Sequence, residues 1–136
     1  MASDTAAYYD ANTKRFLTFG LGSASGSIHR AVWAPGIASR LEAMKYVDSL
    51  ILDELGTLAR AHRSPGANAA AAGISGAAHP SGEPLAIDLG CGVGGTIAYL
   101  ERHLEARYQG ITNSRVQRDI AVEQARRRGS GAVFTV

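Results

Sequence analysis

Apolar positions fall into two regimes, separated by a stretch that has almost none. In the first 63 residues they recur at helical spacings. Asp4 to Phe19 reads as a helix with Asp4 as its N-cap. Its bulky residues, Tyr8, Tyr9, Phe16, Leu17 and Phe19, gather toward the ends and make no single stripe. Gly20 to Gly26 breaks the pattern as a loop, and Ile28-His29-Arg30-Ala31-Val32-Trp33 follows, closed by Pro35-Gly36. A second helix opens at Ser39, where Ser39-Arg40-Leu41-Glu42 forms a capping box, and runs to about His62. Leu41, Met44, Val47 or Ile51, Leu55 and Leu58 give it one apolar face, suited to packing on a sheet.

Ser64 to Pro84 is alanine, glycine, serine and proline with little apolar bulk, a linker with no chemistry of its own. The apolar rhythm then changes. Leu85 to Leu89 is a short run interrupted only by Asp88, expected to be a strand buried on both faces. Thr96 to Leu104 suits a helix with Ile97, Leu100 and Leu104 inward, and Arg107 to Ile111 a second strand. Ser114 to Arg128 suits a helix with Val116, Ile120 and Ala121 inward, and Ala132 to Val136 a third strand. Alternation of strand and helix with short connections requires right-handed crossovers and a parallel sheet. The fold class is α/β, in three units: a helical segment at 1–63, the linker at 64–84 and a Rossmann-like domain at 85–136. Only one half of such a sheet fits, in the order 3-2-1, which leaves the first strand as an edge. The sequence therefore reads as a chain cut short, with completion by a second polypeptide the less favoured alternative.

Chemistry concentrates where the first strand meets its helix. Leu85-Ala86-Ile87-Asp88-Leu89-Gly90-Cys91-Gly92-Val93-Gly94-Gly95-Thr96 places four glycines within six residues. Gly90 suits a turn with positive φ, Gly92 lets backbone approach a ligand, and Gly94 or Gly95 lets the helix pack closely on the strand. The helix N-terminus adds free N–H groups to the same crevice. Gly90, Gly92 and Gly95 satisfy the G-x-G-x-x-G dinucleotide pattern. That reading calls for an acid about 20 residues later to hold a ribose, and Tyr108 to Asn113 contains none. The chain has Asp88 instead, before the first glycine. A carboxylate at a strand's mouth suits a cationic ligand and opposes a pyrophosphate.

Asp88-Leu89-Gly90-Cys91-Gly92-Val93-Gly94 resembles the first motif of class I S-adenosylmethionine-dependent methyltransferases. Gly110-Ile111-Thr112-Asn113-Ser114-Arg115-Val116-Gln117 resembles the G-(I/V)-T-x-S-x-x-Q segment of the cyclopropane-fatty-acid-synthase-like and tocopherol-type C-methyltransferases. The resemblance implies that Thr112 and Gln117, with Asn113 in the same run, contact the cofactor ribose. Ser114 to Gln117 is also a capping box in its own right. Tyr8-Tyr9-Asp10 with Asn12, Thr13 and Phe16, and then Ile28 to Trp33, is similar to the N-terminal region of bacterial C-methyltransferases acting on prenyl or terpenoid-like molecules. This implies that Tyr9, or else Tyr8, helps hold the methionine end; aromatic faces also stabilise a sulfonium. Packing under a lid helix is the other role open to Tyr8, Phe16 and Trp33.

The function expected is therefore methyl transfer from S-adenosylmethionine to a small lipophilic acceptor. Asp88 would order the amino-acid end of the cofactor and Gly90, Cys91, Gly92 and Gly94 the backbone approach. No residue can be named as a catalytic base. The rivals are a non-catalytic remnant whose N-terminal helices serve homo-oligomerisation, and an NAD-binding half-domain. Composition narrows the field further. A net charge of +2 gives no case for nucleic acid or an anionic membrane, and Arg126-Arg127-Arg128 suits a helix C-terminus. Cys91 is the only cysteine, which excludes an internal disulfide, fits a reducing cytoplasm and, inside the turn, suits small size better than nucleophilic work. His29, His62, His79 and His103 lack ligand spacing, so no metal site is expected. No apolar run approaches a membrane span, and no signal pattern opens the chain.

Overall fold

A computed structural model of the chain describes residues 4–19, 31–63 and 83–136. The expected loop at Gly20 to Gly26, Ile28 to Arg30 and the linker up to residue 82 lie outside the described residues. The elements are α1 (Asp4–Phe19), α2 (Arg40–Arg63), β1 (Leu85–Leu89), α3 (Gly95–Leu100), β2 (Arg107–Ile111), α4 (Arg115–Arg128) and β3 (Val133–Thr135). The strands form one parallel sheet in the order β1-β2-β3, with Leu85 opposite Arg107 and Gln109 opposite Val133. Among the described residues, no helix is long and apolar enough to cross a membrane.

The two faces of the sheet differ sharply. Ala86, Tyr108 and Phe134 face a core completed by Cys91, Ile97, Leu100, Ala121 and Ala125, with Ile51, Leu52 and Leu55 of α2 packed against it. Leu85, Ile87 and Leu89 alternate to the other side and stand 47%, 53% and 77% exposed, as does Val133 at 58%. The expectation that β1 is buried on both faces is therefore corrected. Its apolar run reflects a strand designed for cover, but the described helices cover one side only.

Local chemistry sets the helix boundaries. Ser39 is the N-cap of α2, and the capping box is reciprocal. Glu42 N donates to Ser39 Oγ at 3.2 Å, and Ser39 N donates to Glu42 Oε2 at 2.9 Å. Asp4 lies within the first turn of α1, where its charge complements the helix dipole, and so is not the N-cap. Helix α3 ends at Leu100 and does not extend to Leu104; a turn follows, in which Leu104 N still reaches Leu100 O at 2.9 Å. The inward stripe of α4 is Gln117, Ala121 and Ala125, while Val116 and Ile120 are only half-buried. Alanine on that stripe lets the helix approach Phe134. The inward face of α2 is also rotated from expectation. Met44 and Asp48 are buried, whereas Leu41 and Leu58 are each 48% exposed. The rotation has a cause: Asp48 accepts a hydrogen bond from Thr96 of α3 and turns that face inward.

Candidate functional site

The glycine turn leaves β1 with its backbone fastened to β2. Gly90 N and Cys91 N both donate to Ile111 O, at 2.8 and 3.0 Å. Gly90, Gly92 and Gly94 all take positive φ, at 86°, 55° and 83°. Their surroundings separate their roles. A Cβ on Gly90 or Gly92 would enter open space, whereas one on Gly94 would sit 3.0 Å from the Phe134 ring. Gly94 is thus the close-packing glycine, and Gly92 leaves backbone bare toward the crevice. Gly110 has the tightest surroundings: a Cβ there would lie 2.6 Å from Phe134 and 2.8 Å from Cys91 Sγ. The glycine that opens the second motif is required by sheet packing.

Beyond β2 the second motif builds a closed polar network. Thr112 Oγ1 donates to Gln117 Oε1 at 2.7 Å and accepts from Ser114 N at 3.3 Å. Ser114, the N-cap of α4, accepts from Gln117 N at 3.1 Å. Only half of the expected capping box forms, because Thr112 takes the Ser114 amide that the Gln117 side chain would have claimed. Thr112, Ser114 and Gln117 are all buried. Thr112 takes one acceptor site of the Gln117 carboxamide oxygen, and the Gln117 NH2 is the donor the side chain can offer a ligand.

These parts meet in a cavity of about 670 Å³ lined by Tyr9, Leu89, Gly90, Gly92, Ile111, Thr112, Asn113, Gln117 and Val136. It lies at the carboxyl ends of the parallel strands, where open α/β sheets bind ligands. Six of the residues singled out in the sequence, Tyr9, Gly90, Gly92, Thr112, Asn113 and Gln117, share that wall. Tyr8, Asp88, Cys91 and Gly94 do not. Tyr8 is 55% exposed, and Trp33 is 60% exposed, so neither packs beneath a lid; Tyr8 meets Tyr9 edge-on, with ring centroids 5.6 Å apart. Cys91 is buried beneath the turn, and burial, reinforced by the charge of Asp88, pushes its thiol up to about 11.

Asp88 immediately precedes the cavity wall, on the sheet face that carries Gly110 and Phe134. Burial raises its carboxyl pKa above the ordinary value, and the charge of Asp48 adds to the shift. Asp48 itself is buried and accepts from Thr96 Oγ1 at 2.7 Å. Two carboxylates thus stand behind the glycine turn and make the end of β1 electronegative. Among the described residues the cavity wall carries no lysine or arginine. Asp48 had no assigned role in the sequence. Its signal was a carboxylate in register with Met44, Ile51 and Leu55 on a helix face that is otherwise apolar.

A larger cavity, about 870 Å³, opens at the other end of the strands between Leu85, Arg107 and Val133. Of the two carboxylates in its lining, Glu101 and Glu105, Glu101 is already paired with Ser130 and lies 3.9 Å from Arg128. It sits at the amino ends of the strands, away from the glycine turn.

No protein-family profile matches the chain, and no curated protein matches it. Solved structures do. The [4+2]-cyclase SpnF superposes with a TM-score of 0.64 at 26% identity, over 99% of this chain and 42% of its own. Geranyl diphosphate methyltransferase, in complex with GPP and sinefungin, gives 0.60 at 19% identity, over 99% of this chain and 48% of its own. Geranyl diphosphate C-methyltransferase from Streptomyces coelicolor A3(2), with Mg2+, geranyl-S-thiolodiphosphate and S-adenosyl-L-homocysteine, gives 0.54 at 21% identity, over 98% of this chain and 48% of its own. The chain spans less than half the length of each. Its fold is the Rossmann-like fold of S-adenosylmethionine-dependent methyltransferases.

Proposed function

We propose that this chain carries the S-adenosylmethionine site of a small-molecule methyltransferase. The observation that carries the reading is the convergence of Tyr9, Gly90, Gly92, Thr112, Asn113 and Gln117, from three distant parts of the chain, on one cavity at the strand ends. The residues fit the group. Gly90 and Gly92 leave room for an adenosyl ligand against the backbone. Thr112 and Gln117 line the same cavity and would give a ribose polar partners, and Tyr9 would supply an aromatic wall. Asp88 and Asp48 make the turn electronegative, which favours a cationic amino-acid end and opposes a pyrophosphate. That last point argues against the NAD reading.

When bound, the cofactor supplies an electrophilic methyl group. What this chain contributes is orientation, exclusion of water and a field matched to positive charge. In this reading residues 1–63 cap a cofactor domain at 85–136, joined by 64–84. The acceptor class we favour is a lipophilic, prenyl or terpenoid-like molecule methylated at carbon. The N-terminal pattern around Tyr9 supports it, as do the geranyl diphosphate methyltransferases that share the fold. A second reading comes from the cyclase SpnF, which shares this fold over 99% of the chain under a different named activity. There the cofactor cavity would support the fold and the methyl group would not be consumed.

Calorimetric titration with S-adenosylhomocysteine and with NADH tests the cofactor. Binding on the order of micromolar is expected for the former, weakened about tenfold or more by Asp88→Ala, with no heat from NADH. Tighter binding of NADH, or no heat from S-adenosylhomocysteine with a folded sample, overturns the reading.

A further inference from the structure

Helix α1 buries no large apolar side chain fully; Tyr9, Phe16 and Leu17 are half-buried. Its buried side chains are Ala6 and Thr13, both small, while Tyr8 and Phe19 are exposed. Thr13 spends its hydroxyl within the helix, donating to Tyr9 O at 2.6 Å. Yet α1 packs against α4 and places Tyr9 in the wall of the cavity. A polar contact adds to this packing next to Tyr9. Asp10 Oδ1 accepts from the hydroxyl of Ser114, 104 residues away, and from Val116 N at 3.2 Å, 106 residues away. Ser114 in turn accepts from Gln117 N, so one carboxylate closes the first turn of α4 from outside. A negative group is well placed at that helix end.

We propose that Asp10 is a positioning residue of the cofactor cavity, fastening α1 across the start of α4 and so holding Tyr9 opposite Thr112, Asn113 and Gln117. The proposal rests on reading the cavity as a cofactor site. Asp10 sits next to Tyr9 in sequence, and Ser114 sits next to Asn113. One carboxylate therefore ties together residues next to both sides of the cavity. Loss of the latch lowers the fraction of chains with Tyr9 in place, and apparent affinity falls by that fraction.

The test titrates S-adenosylhomocysteine into the full chain carrying Asp10→Ala, Asp10→Asn, Tyr9→Ala, and Tyr9→Ala with Asp10→Ala, and follows amide hydrogen exchange in the first turn of α4. Asp10→Ala is expected to weaken binding roughly five- to tenfold, the size of losing a helix cap. Asp10→Asn keeps the acceptor and should stay within about twofold of the parent. In the Tyr9→Ala background Asp10→Ala should add little, because the effect runs through Tyr9. An undiminished effect in that background, or equal losses for Asn and Ala, overturns the proposal. Should the parent chain bind no S-adenosylhomocysteine, the cofactor reading fails separately. The latch is then read from exchange at Val116 and Gln117: faster in Asp10→Ala supports it, and unchanged overturns it.

Discussion

Alanine placed at Gly92, Gly94 and Gly110 should separate the three tasks that glycine performs here. At Gly92 the backbone has φ 55° and a Cβ would meet nothing within 4 Å. The cost to the fold is then the left-handed conformation alone, about 1–2 kcal/mol. The new methyl group would point into space bordering the cavity, so affinity for S-adenosylhomocysteine should fall about tenfold or more. At Gly94 the left-handed cost recurs, and the Cβ also lies 3.0 Å from two ring atoms of Phe134 and 3.5 Å from Ala121. Overpacking adds about 1 kcal/mol or more, so the loss should reach about 2–3 kcal/mol. Gly110 carries no positive φ, but its Cβ would lie 2.6 and 2.8 Å from Phe134 atoms and 2.8 Å from Cys91 Sγ. The ring has to move, at about 1–3 kcal/mol. Urea unfolding gives the stabilities, and calorimetry on the folded variants gives the affinities. Gly92→Ala should be the least destabilised of the left-handed pair and still bind markedly more weakly than the parent. Parent-like affinity for Gly92→Ala would refute the assignment of that backbone to ligand approach.

Asp88→Asn should affect stability and binding in opposite directions. Because the folded state raises the Asp88 pKa, its contribution is fully present below the ordinary value of 3.8 and lost as pH rises through the raised folded value. At neutral pH the ionised group therefore burdens the ligand-free fold. The asparagine variant should melt higher than the parent at pH 7, lose that advantage in acid, and bind S-adenosylhomocysteine less well, as thermal scans and titrations at several pH values would show. Thr112→Val leaves the Ser114 amide and the Gln117 carboxamide without their shared partner. It should cost about 1–3 kcal/mol in denaturant unfolding, with a further loss of binding. Cys91, with its thiol near 11, should react with an alkylating reagent at pH 8 far more slowly in the folded chain than in urea; equal rates would show that the thiol is not buried under the turn.

Strand and helix order, the parallel sheet and its 3-2-1 arrangement were legible because each rests on local pattern: short apolar runs, glycine punctuation, and caps at Ser39 and Ser114. Exposure was harder to read. Leu85, Ile87 and Leu89 carry the signature of a fully covered strand, but the number of layers over a sheet is a property of everything packed on it. The inward face of α2 was misplaced because Leu41 and Leu58 outweigh Asp48 in any apolar count, and only the partner at Thr96 shows why a carboxylate faces inward. Thr112 and Gln117 were singled out by the resemblance of the Gly110 to Gln117 run to a methyltransferase segment, and both line the cavity. Asp10 was visible only as part of a motif, since its partners lie more than 100 residues away. Asp88 stood out in the sequence for its charge, and the structure gives that charge a field behind the turn instead of a place in the wall.

In the proposed function, one cavity gathers Tyr9, the glycine turn and the Thr112 to Gln117 motif around an adenosyl ligand. Titrating S-adenosylhomocysteine into the nitrogen-15-labelled chain, with backbone amide shifts followed by NMR, tests it most directly. The largest changes are expected at Tyr9, Gly90, Gly92, Thr112, Asn113 and Gln117, with Arg107, Ala132 and Val133 at the opposite end of the strands undisturbed. Changes centred on that opposite end, or none in a well-dispersed spectrum at millimolar ligand, would contradict it.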